Sequence, residues 1–259
     1  MKRTLALVFG LILILSLAGS VSAQSSNAKI PEKNGDYADP EHPGLRVRVF
    51  VHQPKPGRPS PTQPPSIVCP DDDPSSSSMV PATDWHLPPN WTYTLNPSSA
   101  PASVGSGNLV TIASNAFGEW VKAASKVNIS NTGSTTTVNR ASYDGKNIIA
   151  WGRTSGSALA ITYTWYYPST GLVAETDTIF NQKVPWYWDA ENYLCTDANS
   201  YDAQDILTHE LGHWMGLDDT YTAIFIDNTM YGYGSKGEIK KDTLTSGDIQ
   251  GVQAIYSIY

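Results

Sequence analysis

The chain has 259 residues, with 24 Asp and Glu against 17 Lys and Arg, 40% apolar residues and 16% charged. That balance describes a folded, mildly acidic protein. A net charge of −7 supplies no basic face for a phosphate backbone or an anionic membrane surface, so a nucleic-acid partner is not expected. Of the 18 prolines, 16 precede residue 102, which assigns most of the core to the C-terminal part.

Residues 1–23 carry Lys2 and Arg3, an apolar run from Leu5 to Leu17, and Val21-Ser22-Ala23 at a cleavage point, the pattern of a secretory signal peptide. The run is short for a hydrocarbon core of roughly 30 Å. Export, cleavage and release as a monomer are expected, with no membrane contact afterwards. Residues 24–80 follow as a Pro/Ser-rich pro-segment or linker, with Pro54, Pro56, Pro59, Pro61, Pro64 and Pro65 close together, then Asp71 to Asp73 and Ser75 to Ser78. No packed core is expected there. Embedded in it, Leu45 to Val51 alternates apolar and basic residues with period two, which predicts a strand paired along at least one edge, its partner not visible in the sequence.

From residue 81 to 259 the composition becomes that of a folded domain. A short strand is expected over Thr92–Asn96, then a helix carrying Leu109, Ile112, Ala113, Ala116, Phe117 and Trp120 on one face. Strands are expected over Asn147–Gly152, Ala158–Tyr167 and Leu172–Asn181, with a turn at Pro168 to Gly171 between the last two. A second helix starts near Asp202, marked by its Asp-Ala-Gln-Asp capping pattern, and a third near Thr245, with Asp248 three residues on. The class is α+β.

Residues 209 to 219 read His-Glu-Leu-Gly-His-Trp-Met-Gly-Leu-Asp-Asp. His209 and His213, four apart on a helix, present their imidazoles on one face, close enough to share a tetrahedral Zn²⁺. Glu210 sits beside them, and Leu207, Leu211 and Trp214 on the opposite side would bury the helix and turn the ligand face toward a cleft. Gly216 can adopt a positive φ, end the helix and return the chain to the metal. Asp218 and Asp219 then compete as third ligand, since either carboxylate is acceptable to zinc.

His209, Glu210, His213, Gly216 and Asp219 resemble the His-Glu-x-x-His-x-x-Gly-x-x-His/Asp signature of metzincin zinc endopeptidases. Met230 in Thr229-Met230-Tyr231-Gly232-Tyr233 resembles the Met-turn of the matrixin branch, and Leu244 to Tyr256 resembles the last matrixin helix, with Asp248 in place of its second acidic residue and Gly247 in place of the first. The resemblance covers about Trp85 to Tyr259. It implies a metzincin-like catalytic domain, a twisted mixed sheet of about five strands with three helices, and an active-site helix ending at a Gly turn. It also implies one catalytic Zn²⁺ held by His209, His213 and Asp219. Glu210 would deprotonate a zinc-bound water to hydrolyse an extended polypeptide.

By the same resemblance the strand Ala158–Tyr167 would be the sheet edge that pairs substrate, and Tyr231 and Tyr233 would wall the pocket beyond the scissile bond. Asp219 stands where vertebrate matrixins have a third His, an anionic ligand that leaves the bound water less acidified. Where matrixins carry carboxylates for structural ions this chain has Asn181-Gln182-Lys183-Val184, so Ca²⁺ is not assumed.

Cys69 and Cys195 are the only cysteines, and in an exported chain a disulfide between them is the first expectation. The alternative is a zinc-capping Cys69 thiolate, for which Val68-Cys69-Pro70-Asp71 lacks the Arg and Gly that brace such a cysteine in matrixins. Two rival functions are a non-catalytic secreted binding or wall-associated module on a Pro-rich stalk, and a zinc hydrolase of non-peptide amides. Glu210 argues against the first, because a structural zinc site needs no base.

Overall fold

The computed structural model describes residues 29–57, 66–70 and 75–258. The signal-peptide expectation over residues 1–23 lies outside the described residues, as do Pro59, Pro61, Pro64, Pro65 and Asp71 to Asp73. The strands in chain order are β1 (Gly35–Ala38), β2 (Arg46–Pro54), β3 (Ile67–Val68) and β4 (Asn90–Leu95), followed by helix α1 (Leu109–Ala123). Next come β5 (Asn128–Thr135), β6 (Ile148–Gly152), β7 (Ala160–Tyr167), β8 (Leu172–Asn181), β9 (Trp186–Tyr187), β10 (Thr196–Asp197) and β11 (Tyr201–Asp202). Helix α2 (Ala203–Trp214), β12 (Tyr233–Gly234) and helix α3 (Ser246–Tyr256) complete the order.

Seven strands form one mixed sheet in the order β1-β2-β7-β8-β6-β4-β5, and β12 pairs with β2 as the eighth. The β4, β5, β6 and β8 neighbours run parallel, while β7 is antiparallel to both β8 and β2. The α+β class with three long helices stands, on a sheet of eight strands rather than about five. β5 escaped the sequence reading because Asn128 to Thr135 is polar, mostly exposed and interrupted by Gly133, so it lacks the alternation that marks a half-buried strand.

The largest core cluster lies between the sheet and the helices. Phe117 of α1 meets Trp214 of α2, their ring centroids 5.5 Å apart. Trp214 Nε1 donates to Thr178 Oγ1 on β8 at 2.9 Å, and Trp120 Nε1 donates to the Thr208 carbonyl at 2.8 Å, so both indoles pack without stranding their donors. α2 starts where expected, with the Asp202 carboxylate accepting from the Gln204 and Asp205 amides. α3 starts with a full capping box between Thr245 and Asp248.

The segment before residue 81 differs from the expectation of an unpacked spacer. β2 is an interior strand, pairing β1 along Arg46–Val49 and β7 along Arg46–His52. Its Val47, Val49 and Val51 form a second core with Ile161, Tyr163 and Trp165. The alternation over Leu45–Val51 predicted the strand, which runs on to Pro54, but the proline-rich composition of 24–80 concealed that it packs into a core. β7 is therefore not a sheet edge, because β2 covers it.

Farther on, Cys69 and Cys195 are joined by a disulfide, and β3 pairs with β10. The Cys69 sulfur is thus committed to that bond, which leaves no thiolate to cap zinc. Gly247 donates to the Ser76 carbonyl at 2.9 Å and Val80 donates to the Gly247 carbonyl at 3.1 Å. A Cβ at residue 247 would lie 2.0 Å from the Ser78 carbonyl oxygen, which explains glycine where the resembling helix has an acid. Among the described residues no helix is long and apolar enough to cross a membrane.

Candidate active site

α2 brings the motif residues together. Its whole length is buried, and His209 and His213 rings lie with centroids 4.9 Å apart and perpendicular planes. After Met215 the chain turns at Gly216, φ 96°, where a Cβ would come 2.5 Å from the Trp85 carbonyl oxygen. Only glycine combines that φ with that approach. The turn carries Asp219 back to the histidines, with Oδ1 3.2 Å from His209 Nε2 and 3.4 Å from His213 Nε2.

The tautomers follow from the other ring nitrogens. His209 Nδ1 lies 2.8 Å from the Thr229 carbonyl and His213 Nδ1 lies 2.9 Å from the Leu217 carbonyl. A carbonyl only accepts, so each Nδ1 carries the hydrogen and each Nε2 presents a lone pair inward. His209 Nε2 and Asp219 Oδ1 are buried and, despite their proximity, not aligned in a hydrogen bond with any group. Two imidazole lone pairs and a carboxylate oxygen within 4.8 Å of one another, each otherwise unsatisfied or oriented by a carbonyl, suit a divalent cation. Burial pushes His209 down to about 4, keeping the ring neutral at ordinary pH. Burial opposes the Asp219 carboxylate, but His213 and His209 beside it together outweigh that and hold it well below the usual carboxylate range.

Asp218 is engaged elsewhere, its Oδ1 meeting the Arg48 guanidinium at 3.1 Å. Tyr221 donates to Asp219 Oδ2 at 2.9 Å, leaving Oδ1 to face His209 and His213. Met230 is fully buried under α2, close enough that a Cβ on Gly212 would be 2.1 Å from its sulfur. Asp248 of α3 accepts from the Thr229 and Met230 amides at 3.0 and 3.2 Å. Tyr231 and Tyr233 pack edge to face at 5.6 Å, and Tyr233 belongs to β12, beside β2.

The Glu210 carboxylate does not face an open cleft. Oε2 accepts from Thr162 Oγ1 of β7 at 2.6 Å, and Oε1 lies 3.1 Å from His52 Nδ1 of β2. Burial pushes its pKa up to about 7. The Phe50 ring stacks on His213 at 3.7 Å and 7°, and His52 lies 3.9 Å from His209. His52 Nε2 in turn approaches the buried Lys241 ammonium at 3.3 Å. Phe50, His52, Thr162, Tyr221 and Lys241 were not foreseen as site residues. The period-two pattern over Leu45–Val51 put Arg46, Arg48 and Phe50 on a common face, but nothing in it named α2 as the partner.

No curated protein matches the chain. The family model described as Matrixin matches residues 84–257, the region that carries the His-Glu-x-x-His helix, Met230 and α3. With that match spanning well over half of the chain, the protein belongs to the matrixin family of metallopeptidases.

Proposed function

We propose that this chain is a secreted zinc endopeptidase of extended polypeptides, with His209, His213 and Asp219 as the ligands and Glu210 as the general base. The carrying observation is the convergence of the His209 and His213 Nε2 atoms on Asp219 Oδ1, with each Nδ1 tied to a carbonyl. A Zn²⁺ bound there supplies a Lewis acid that polarises a peptide carbonyl and acidifies water.

The remaining chemistry belongs to side chains of this protein. Glu210 takes the proton from the attacking water and returns it to the leaving amine, and a pKa near 7 suits both transfers at neutral pH. Thr162 holds one of its oxygens, fixing the direction of the other. Tyr231 and Tyr233 line the side of the pocket formed by the segment after Met230. The leader pattern of residues 1–23 supports export.

The test is hydrolysis of a quenched peptide library by zinc-loaded protein with and without chelator. Cleavage that stops on chelation and returns with zinc is expected. Turnover of simple non-peptide amides in place of peptides would overturn the endopeptidase reading.

A further inference from the structure

We propose that the face of the sheet turned away from the metal-binding residues carries a second binding site, for an aromatic carboxylate, in the cavity that β7 and β8 form with residues 29–42 and 138–155. This site stands apart from the peptidase reading and does not depend on it.

Side-chain alternation along the strands separates the two faces. Thr162 Oγ1 of β7 donates to Glu210, and Thr178 Oγ1 of β8 accepts from Trp214 Nε1, so both threonines point toward α2. Their strand neighbours Ile161, Tyr163, Trp165 and Ile179 point the other way and line a cavity of about 1190 Å³. Sites for small organic molecules commonly measure roughly 300–1,000 Å³ and have mostly apolar walls, so a fused two-ring molecule fits here with room for water.

The wall is rich in rings. Tyr163 and Trp165 have centroids 6.0 Å apart, Tyr143 lies 6.0 Å from Trp165, and His42 meets Tyr143 edge-on at 4.6 Å. All four line the cavity. A flat ring entering there extends the row through offset or edge contacts, which add stabilisation beyond the area they bury.

The charges select an anion. Lys29, Lys33, Arg140 and Arg153 line the cavity, and none of them forms an ion pair among the described residues. Three of the lining acids are engaged. Asp39 accepts from Trp165 Nε1 at 3.0 Å and lies 3.1 Å from His42 Nδ1, Glu32 accepts from the Ser155 amide, and Asp144 lies 3.5 Å from Lys146. Glu41 alone is left to offset the four cations.

Thr154 fixes where the anion sits. It is 6% exposed and lines the cavity, and its hydroxyl has no hydrogen-bond partner among the described residues. A buried hydroxyl left unpaired is costly. A carboxylate oxygen against it accepts its hydrogen, while the guanidinium of the neighbouring Arg153 supplies the countercharge.

The experiment titrates 2-naphthoate into the full, zinc-loaded chain by calorimetry. One site per chain is expected, with a dissociation constant of at most about 1 mM, a range that a ligand of this size reaches at ordinary efficiency. Arg140→Gln combined with Arg153→Gln should weaken binding at least about tenfold, and so should Thr154→Val, since each removes a charge-assisted hydrogen bond. Both arginines are exposed, so their replacement keeps the fold. Lys122→Gln combined with Lys126→Gln removes the same charge outside the cavity and should change nothing. Acetate, which has the carboxylate without the rings, should not displace naphthoate at matching concentration.

Absence of binding would overturn the proposal. Binding unaltered in the arginine or the threonine variant would overturn it as well, because the ligand would then sit elsewhere, the zinc included. Equal weakening by the two lysine substitutions would reduce the effect to general charge, and displacement by acetate would leave an anion site without a ring pocket, and either result contradicts the assignment.

Discussion

His209 Nδ1 lies 2.8 Å from the carbonyl oxygen of Thr229, the residue directly before Met230. The same Thr229 offers its amide to Asp248 of α3, so the last helix orients a metal-binding imidazole through the Met-turn backbone. Partners one step removed from a metal ligand typically affect metal affinity by 10- to 100-fold. Asp248, one step farther out than Thr229, should have a smaller effect, and Asp248→Asn should weaken zinc binding by up to about 10-fold in competition with a chromophoric chelator. Unchanged affinity in a folded variant would show that the Met-turn holds its shape without Asp248.

The ligand set makes a sharper demand. His213→Ala and Asp219→Ala should each lose zinc by elemental analysis, while Asp218→Ala should keep it, because Asp218 faces Arg48 and not the histidines. Zinc kept by Asp219→Ala and lost by Asp218→Ala would exchange the two roles.

Two helical glycines should respond oppositely to alanine. At Gly212 the new methyl would meet Met230 sulfur at 2.1 Å and Trp120 at 2.8 Å, an overpacking that costs about 1–3 kcal/mol. Gly118 in α1 has nothing within 4 Å of a Cβ, so alanine there should gain about 0.5–1 kcal/mol from the reduced entropy of the unfolded chain. Chemical denaturation of both variants checks the pair, and a stable Gly212→Ala would contradict the tight seat of Met230 under α2.

The disulfide should leave no free thiol on denatured, unreduced protein. Cys195→Ser should lower stability by about 2–5 kcal/mol while the metal site persists, since Cys195 is not among the side chains grouped at that site. Two titratable thiols in the wild type would contradict the bond.

Much of this molecule was legible because its signals are local. The Asp202 cap, the spacing of His209, Glu210 and His213, the Gly216 turn and the Thr245 capping box each lie within a few residues, and each has its expected local form in the structure. The different surroundings of Asp218 and Asp219 are not local, because Arg48, 170 residues from Asp218, meets that carboxylate while Asp219 faces the histidines. The strand over Leu45–Val51 was legible, but its place in the fold was not, for a related reason. Its valines face one core and its Arg48, Phe50 and His52 face α2, a role set by partners far along the chain and masked by flanking prolines.

The most direct measurement is the rate at which the zinc-loaded chain hydrolyses a quenched peptide, compared with zinc-loaded Glu210→Gln. The account predicts chelator-sensitive cleavage by the wild type and a loss of at least about 10² to 10⁴ in the variant, the usual contribution of a positioned acid-base group, with zinc content unchanged. A zinc-loaded Glu210→Gln form that turns over peptide at near wild-type rate would contradict it.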